Sequence, residues 1–291
     1  MKTYRLATLA LLAALAHCAC AQHAPNYIDS DSLSLVDAAW QVDSIGGGMT
    51  LKRHHFLGKT YMASNQYIAY VEIPAQEARR LAFVQRDTLT ATSLQAQAAH
   101  AIVAVNGSYF DMDRGNPICY LRIGGREVGE NTAGQDTAHR KYYQYASLAL
   151  DSNDLLHFWV PDSGRRAEKQ WDAPNIMTAG PMLISHNQAV PQRQDRTFVT
   201  QRHNRTALGR RADGTVILLA VDGRTKQSAG MTLPELATTL HYLGCVQAIN
   251  LDGGGSTTLW TRQHGIVNHP SDNGRFDRNG ERPVSNCIIL R

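Results

Sequence analysis

The chain has 291 residues, enough for one large domain, and its 43% hydrophobic against 19% charged residues exclude a disordered polymer. A net charge of +4 without a long basic run argues against a nucleic-acid partner, which needs a concentrated basic face. Five cysteines in a chain of this length are too few for a disulfide scaffold.

Lys2 and Arg5 precede an apolar run over 6–16, and Ala19-Cys20-Ala21 follows as a small-x-small cleavage site. Residues 1–21 read as a secretory signal peptide, so the mature chain is expected to be secreted or periplasmic. The alternative is a lipid anchor at Cys18 or Cys20, disfavoured at Cys18 by the bulky His17. That run is too short to span a bilayer, and no later stretch supplies a transmembrane segment. Cleavage after Ala21 leaves Cys119, Cys245 and Cys287, an odd number that permits at most one bridge.

Residues 22–50 are polar and end in Gly46-Gly47-Gly48, read as a loosely attached arm and a flexible joint. The span 22–80 is thus an N-terminal arm with the first strands, and 81–291 the main domain. Residues 66–73 alternate and stop at Pro74, as a strand does. A helix is predicted over 92–99 and a buried strand over 101–105, ending at Asn106-Gly107-Ser108. Hairpins are predicted around Gly124-Gly125, residues 151–154 and His186-Asn187. The run 215–221 is a continuous apolar strand ending at Asp222-Gly223-Arg224. Thr232 and Glu235 form a capping box with Pro234 in the first turn, and an apolar stripe runs from Leu233 to Leu243. The strand 246–251 runs into Asp252-Gly253-Gly254-Gly255-Ser256, a hairpin spans 258–268, and 284–290 is a closing strand. This pattern is α+β: strand-rich mixed sheets with a few packed helices, and 215–251 a parallel crossover.

Two apolar strands therefore end in Asp-Gly, at Asp222 and Asp252. In a crossover both ends emerge on one side of a sheet, where ligands bind. Paired carboxylates there can act as acid and base, or as base and electrostatic stabiliser. Each Asp-Gly is equally a turn dipeptide. The triple glycine after Asp252 allows close backbone approach, and its amides can converge on an anion. Arg205, in the basic stretch Arg202-His203-Asn204-Arg205-Thr206, offers a fork that matches a phosphate, and it ranks above His203. Asp111 and Asp113 can attract a divalent cation, though a turn is the default for such a pair. No zinc-ligand spacing, Gly-x-Ser-x-Gly elbow or P-loop lysine is present.

These segments occur in a telling order: Arg205-Thr206-Ala207-Leu208-Gly209, Val221-Asp222-Gly223-Arg224, Gly230-Met231-Thr232-Leu233, Asn250-Leu251-Asp252-Gly253-Gly254-Gly255-Ser256, Asn268-His269-Pro270-Ser271-Asp272 and Arg282-Pro283-Val284. Over about 100–291 the chain resembles the phosphodiester glycosidase family. Asn106-Gly107-Ser108-Tyr109-Phe110 resembles that family's Asn-Gly-Gly-aromatic-Phe, with Ser108 where glycine is usual. The resemblance implies hydrolysis of a sugar-1-phosphodiester, such as an N-acetylglucosamine-1-phosphodiester on a glycan, at the anomeric C–O bond. It implies Asp252, Asp222 and Arg205 as catalytic residues. Asn106, Thr206, Gly253, Gly254, Gly255, Ser256, Ser271, Asp272 and Arg282 would bind substrate. A metal is not specified by it, and a divalent cation stays open. The competing functions are a non-catalytic glycan-binding protein and a metal-dependent phosphodiesterase that cleaves the P–O bond.

Overall fold

The computed structural model describes residues 30–132, 140–160, 168–194 and 196–291. The predicted signal peptide and the two candidate anchor cysteines lie outside them. The fold is the strand-rich α+β class expected, built on three sheets. An eight-stranded sheet carries, in spatial order, Gln41–Ser44, Thr50–Tyr61, Ser64–Ile73, Val216–Val221, Arg205–Arg211, Cys245–Asn250, Met182–Ser185 and Gln188–Ala189. One five-stranded sheet is centred on Val103–Asn106 and the other on Asn175–Ala179.

The sheets are antiparallel rather than mixed in every ladder of the described residues. The predicted crossover explains the discrepancy. Val216–Val221 and Cys245–Asn250 do run parallel, but Arg205–Arg211 lies between them and is antiparallel to both. The two strand ends and one strand start therefore share one edge of the sheet.

Side-chain alternation sorts the large sheet into two faces. Val216, Leu218 and Ala220 point into a core shared with both smaller sheets, while Ile217, Leu219 and Val221 point into a second core under the helix Leu233–Tyr242. Burial on both faces is why this strand is a continuous apolar run. The helix is capped as predicted: Glu235 N–H donates to Thr232 Oγ1 at 3.2 Å, and Thr232 N–H to Glu235 Oε2 at 2.8 Å. A cap is worth roughly 1 kcal/mol, whereas each buried leucine of the stripe contributes roughly 1.5–3 kcal/mol. Leu233, Leu236, Ala237, Leu240 and Leu243 all enter the second core, so the apolar face, more than the cap, fixes where the helix sits.

The N-terminal arm is not loose over its described part. Gln41–Ser44 is the edge strand of the large sheet, Leu35 is buried, and Asp31 accepts a hydrogen bond from Met62 N–H at 2.8 Å. Gly46-Gly47-Gly48 is a hairpin turn with all three φ angles positive, closed by Met49 N–H to Gly46 O at 2.9 Å. Polar composition concealed the arm's docking because an edge strand buries little side chain. Cys119, Cys245 and Cys287 are buried free thiols.

Candidate active site

The shared edge brings Asp222, Arg205 and the glycine loop together. Arg205 pairs in register with Val221, and Ala207 with Asn250. Leu251 N–H donates to Thr206 O at 2.9 Å, and Gly254 N–H to Asn204 O at 2.9 Å. Asp252 N–H reaches across to Gly107 O, at the end of a strand of the neighbouring sheet, at 3.0 Å.

Each glycine of the loop is required by what it touches. A Cβ on Gly253 would fall 2.6 Å from Asn204 O, a backbone atom that cannot yield. Gly254 has φ +61°, and a Cβ there would meet the Arg224 guanidinium at 2.9 Å. Gly255 packs against the Arg282 guanidinium and the Asp272 carboxylate. The loop thus admits two guanidinium groups directly onto its backbone. Arg282 is held by Asp272, to which its Nε donates at 2.8 Å. Arg224 takes a left-handed backbone, φ +62°, and its Nη2 lies 3.4 Å from His203 Nδ1. Burial, Arg205 and Arg224 push the His203 imidazole down to about 4, so at neutral pH it is an uncharged acceptor.

Asp252 stands at the head of this loop, partly exposed. Its Oδ1 accepts Gly253 N–H at 2.9 Å. Desolvation pushes its carboxyl up to about 6, against the opposing pull of the Ser256 hydroxyl, the Gly253 amide, Arg282 and Arg224. Ser256 itself is buried in the short turn Gly254–Ser256.

Asp222 is different in kind. It is fully buried and accepts Asn268 Nδ2 at 2.9 Å, His269 N–H at 2.9 Å and His269 Nδ1 at 2.7 Å. Burial raises its carboxyl, and the hydrogen bonds from His269 and Asn268 oppose the rise. The bond to Asp222 leaves His269 Nε2 without a protein partner among the described residues. The ring is stacked on Phe276 with centroids 3.9 Å apart and meets Tyr67 edge-on at 4.6 Å. Asp222 was in the predicted site but His269 was not, although it lies within the Asn268–Asp272 segment. Arg224 was likewise passed over inside Val221–Arg224.

Three predicted site residues are placed otherwise than expected. Arg205 shares a sheet face with Ala207, so alternation sends it under the helix side of the sheet. There its Nε donates to Met231 O at 2.8 Å, and its Nη2 to Phe198 O at 2.8 Å and Gln201 O at 3.0 Å. Only Nη1 makes no protein hydrogen bond among the described residues. Asn106, expected to bind substrate, is buried and staples the glycine loop. Its Nδ2 donates to Asp252 O at 2.7 Å, and its Oδ1 accepts Thr258 N–H at 3.1 Å and Thr206 Oγ1 at 2.7 Å. Thr206 therefore holds Asn106, and both are buried. Ser271 donates to Asn204 Oδ1 at 3.0 Å. Asn204 Nδ2, Thr257 Oγ1 and Thr258 Oγ1 are buried with no partner among the described residues, the kind of polar atom a ligand can satisfy.

Among the described residues no three or more His, Cys, Asp and Glu side chains form a metal-binding group. Asp111 Oδ1 accepts the N–H groups of Asp113 and Arg114 at 2.9 and 3.0 Å, a turn-closing role. No helix of the described residues is long and apolar enough to cross a membrane.

Comparison with known proteins identifies the family and the fold. The sequence profile of the phosphodiester glycosidase family matches residues 99–291. The chain belongs to that family. Bovine (Bos taurus) N-acetylglucosamine-1-phosphodiester alpha-N-acetylglucosaminidase is 30% identical over 186 residues, 61% of this chain and 34% of that protein. The human (Homo sapiens) protein of the same name is 29% identical over 61% of this chain and 35% of its own length. The chain thus spans about a third of the length of these relatives. The fold matches the zebrafish catalytic domain of that name, described as auto-inhibited by its pro-peptide, with a TM-score of 0.66 at 20% identity over 87% of each chain.

Proposed function

We propose that this chain hydrolyses a sugar-1-phosphodiester, of the N-acetylglucosamine-1-phosphodiester kind, at the anomeric C–O bond, outside the cytoplasm. The observation that carries this reading is Asp252: a carboxylate with a raised pKa, at the head of a loop whose glycines seat Arg224 and Arg282. A phosphodiester suits such a site. Two guanidinium groups and Asn204 Nδ2 hold its anionic oxygens and stabilise the phosphate as it departs.

Asp252, ionised, faces the anomeric carbon and stabilises the oxocarbenium-like charge that grows as the bond breaks. Asp222 keeps a proton on His269 Nδ1, which leaves Nε2 as the acceptor for a proton from the attacking water. The C–O electron pair leaves with the phosphate, and the water oxygen bonds to the sugar. Products are the free sugar and a phosphomonoester. A phosphate leaving group needs little protonation, so an anion clamp replaces the general acid that an alcohol would require. Asp222 acts through His269 and is a positioning residue.

The test is isotopic. Incubation with an N-acetylglucosamine-1-phosphodiester in H2(18)O places the label on the sugar if this reading holds. Label in the phosphate, with activity abolished by a chelator, indicates a metal-dependent phosphodiesterase instead. Saturable binding without turnover indicates a glycan-binding protein.

A further inference from the structure

The stretch 267–282 forms neither helix nor strand, and it contributes His269, Ser271, Asp272 and Arg282 to the site. Its middle is a loop closed on itself. Asp272 N–H donates to Gly280 O at 3.2 Å across the neck. Asp277 Oδ1 accepts Asn273 Nδ2 at 2.9 Å and Asn279 N–H at 2.8 Å, and Asn273 Oδ1 accepts Arg275 N–H at 3.0 Å. Between Pro270 and Arg282 every residue but one is polar, charged or glycine, and the exception is Phe276. A lone phenylalanine in such a loop gains by covering its ring on another part of the molecule.

That cover is His269. The two rings stack with centroids 3.9 Å apart and planes 21° from parallel. Phe276 also packs on His55 at 5.4 Å and on Tyr67 at 6.0 Å, and is half-buried. The other neighbours of the imidazole, Asp222 and Tyr67, are locked to each other. Asp222 N–H donates to Tyr67 O at 3.0 Å, while Ser228 Oγ accepts Tyr67 N–H at 2.9 Å and donates to Asp222 O at 2.7 Å. The loop therefore adds one removable contact to a histidine whose other two are built into the sheet edge. The hydrogen bond from Nδ1 to Asp222 pins one ring atom and tolerates some tilt of the ring about it. A stacked ring resists that tilt.

We propose that Phe276 is a positioning residue: its ring fixes the plane of the His269 imidazole and shields the His269–Asp222 hydrogen bond from water. This rests on the reaction proposed above, in which His269 Nε2 takes a proton from the attacking water. Phe276 acts through His269, so its loss is felt in turnover rather than in substrate binding.

Two substitutions in the full chain test it. Phe276→Leu keeps an apolar side chain and removes the stack, whereas Phe276→Tyr keeps the stack. On the methyl diester of N-acetylglucosamine-1-phosphate, Phe276→Leu should lower kcat roughly ten- to a hundredfold with KM changed less than about twofold. Phe276→Tyr should retain about half of the wild-type kcat or more. A second readout needs no turnover. Nitrogen-15-resolved NMR of the His269 Nδ1 proton should show exchange with water about tenfold faster, or more, in Phe276→Leu than in wild type or Phe276→Tyr. Wild-type kcat in Phe276→Leu, an effect on KM alone, or a kcat loss with unchanged proton exchange overturns the positioning role. Faster exchange in Phe276→Leu, with no turnover of the diester by any of the three proteins, supports the clamp and overturns the reaction.

Discussion

The chain contains two runs of three glycines, and they do different work. Gly46-Gly47-Gly48 has three positive φ angles, and Gly46 has open space where a Cβ would project. Its glycines are needed chiefly for backbone conformation: only Gly47 faces a tight contact, and that is with the flexible side-chain ends of Glu77 and Met49. In Gly253-Gly254-Gly255 only the middle residue has a left-handed φ, yet all three face close neighbours: a carbonyl, one guanidinium, then another guanidinium with its carboxylate. These glycines are needed for proximity. The comparison teaches that a glycine run marks a functional loop when what it excludes is a side chain, and a plain turn when what it permits is an angle.

The largest effect that would sharpen this contrast lies at the carboxylate opening the second run. Asp252→Asn should cut kcat by about a thousandfold or more. It should also raise Tm by a few degrees at neutral pH. The sign follows from the raised pKa. Between the ordinary aspartate value near 4 and about 6, the folded state binds more protons than the unfolded state, so stability falls as pH rises through that window. The variant has no such penalty. Differential scanning calorimetry at pH 4.5 and 7.5 checks it: the Tm gap between variant and wild type should open with pH, and kcat/KM of the wild type should lose activity below about pH 6. Carbon-13 titration of the Asp252 carboxyl near 6 would assign that limb.

Next in size is His269→Ala, expected to lower kcat by roughly 10²–10⁴ with KM little changed. A KM effect alone would remove it from proton transfer. Gly253→Ala should follow. The displaced Asn204 carbonyl disturbs the site, costing on the order of tenfold in kcat/KM and about 1–3 kcal/mol in denaturant unfolding. The smallest effect belongs to the first run. Gly46→Ala should cost about 1–2 kcal/mol, from the left-handed φ, and leave kcat/KM untouched. Equal activity losses at Gly46 and Gly253 would break the comparison.

Much of the frame was legible because it depends on local pattern. Thr232 and Glu235 announce the capped helix, and continuous apolar runs ending at Asp222 and Asp252 announce buried strands that deliver carboxylates to one edge. The family resemblance followed from the same segments. The antiparallel strand inserted between the two Asp-bearing strands was not legible, because strand order is set by long-range packing. Arg205 was given to the phosphate for its chemistry. Its position two residues before Ala207, a sheet-face argument, sends it toward the helix instead. The stapling role of Asn106 was not legible for another reason: amide side chains that staple a backbone look identical in sequence to those that meet a ligand. His269 and Arg224 were passed over because one needs a carboxylate 47 residues away and the other an unusual φ.

Asn106 carries one last implication. It sits on a strand of one sheet and ties down the loop that extends from another, gripping Asp252 O and Thr258 N–H together. The reactive geometry consequently exists only while the layers are docked. Any loosening between them, even with every strand still formed, silences the protein. Turnover is then a finer gauge of native assembly than circular dichroism, and under mild denaturant it should vanish first.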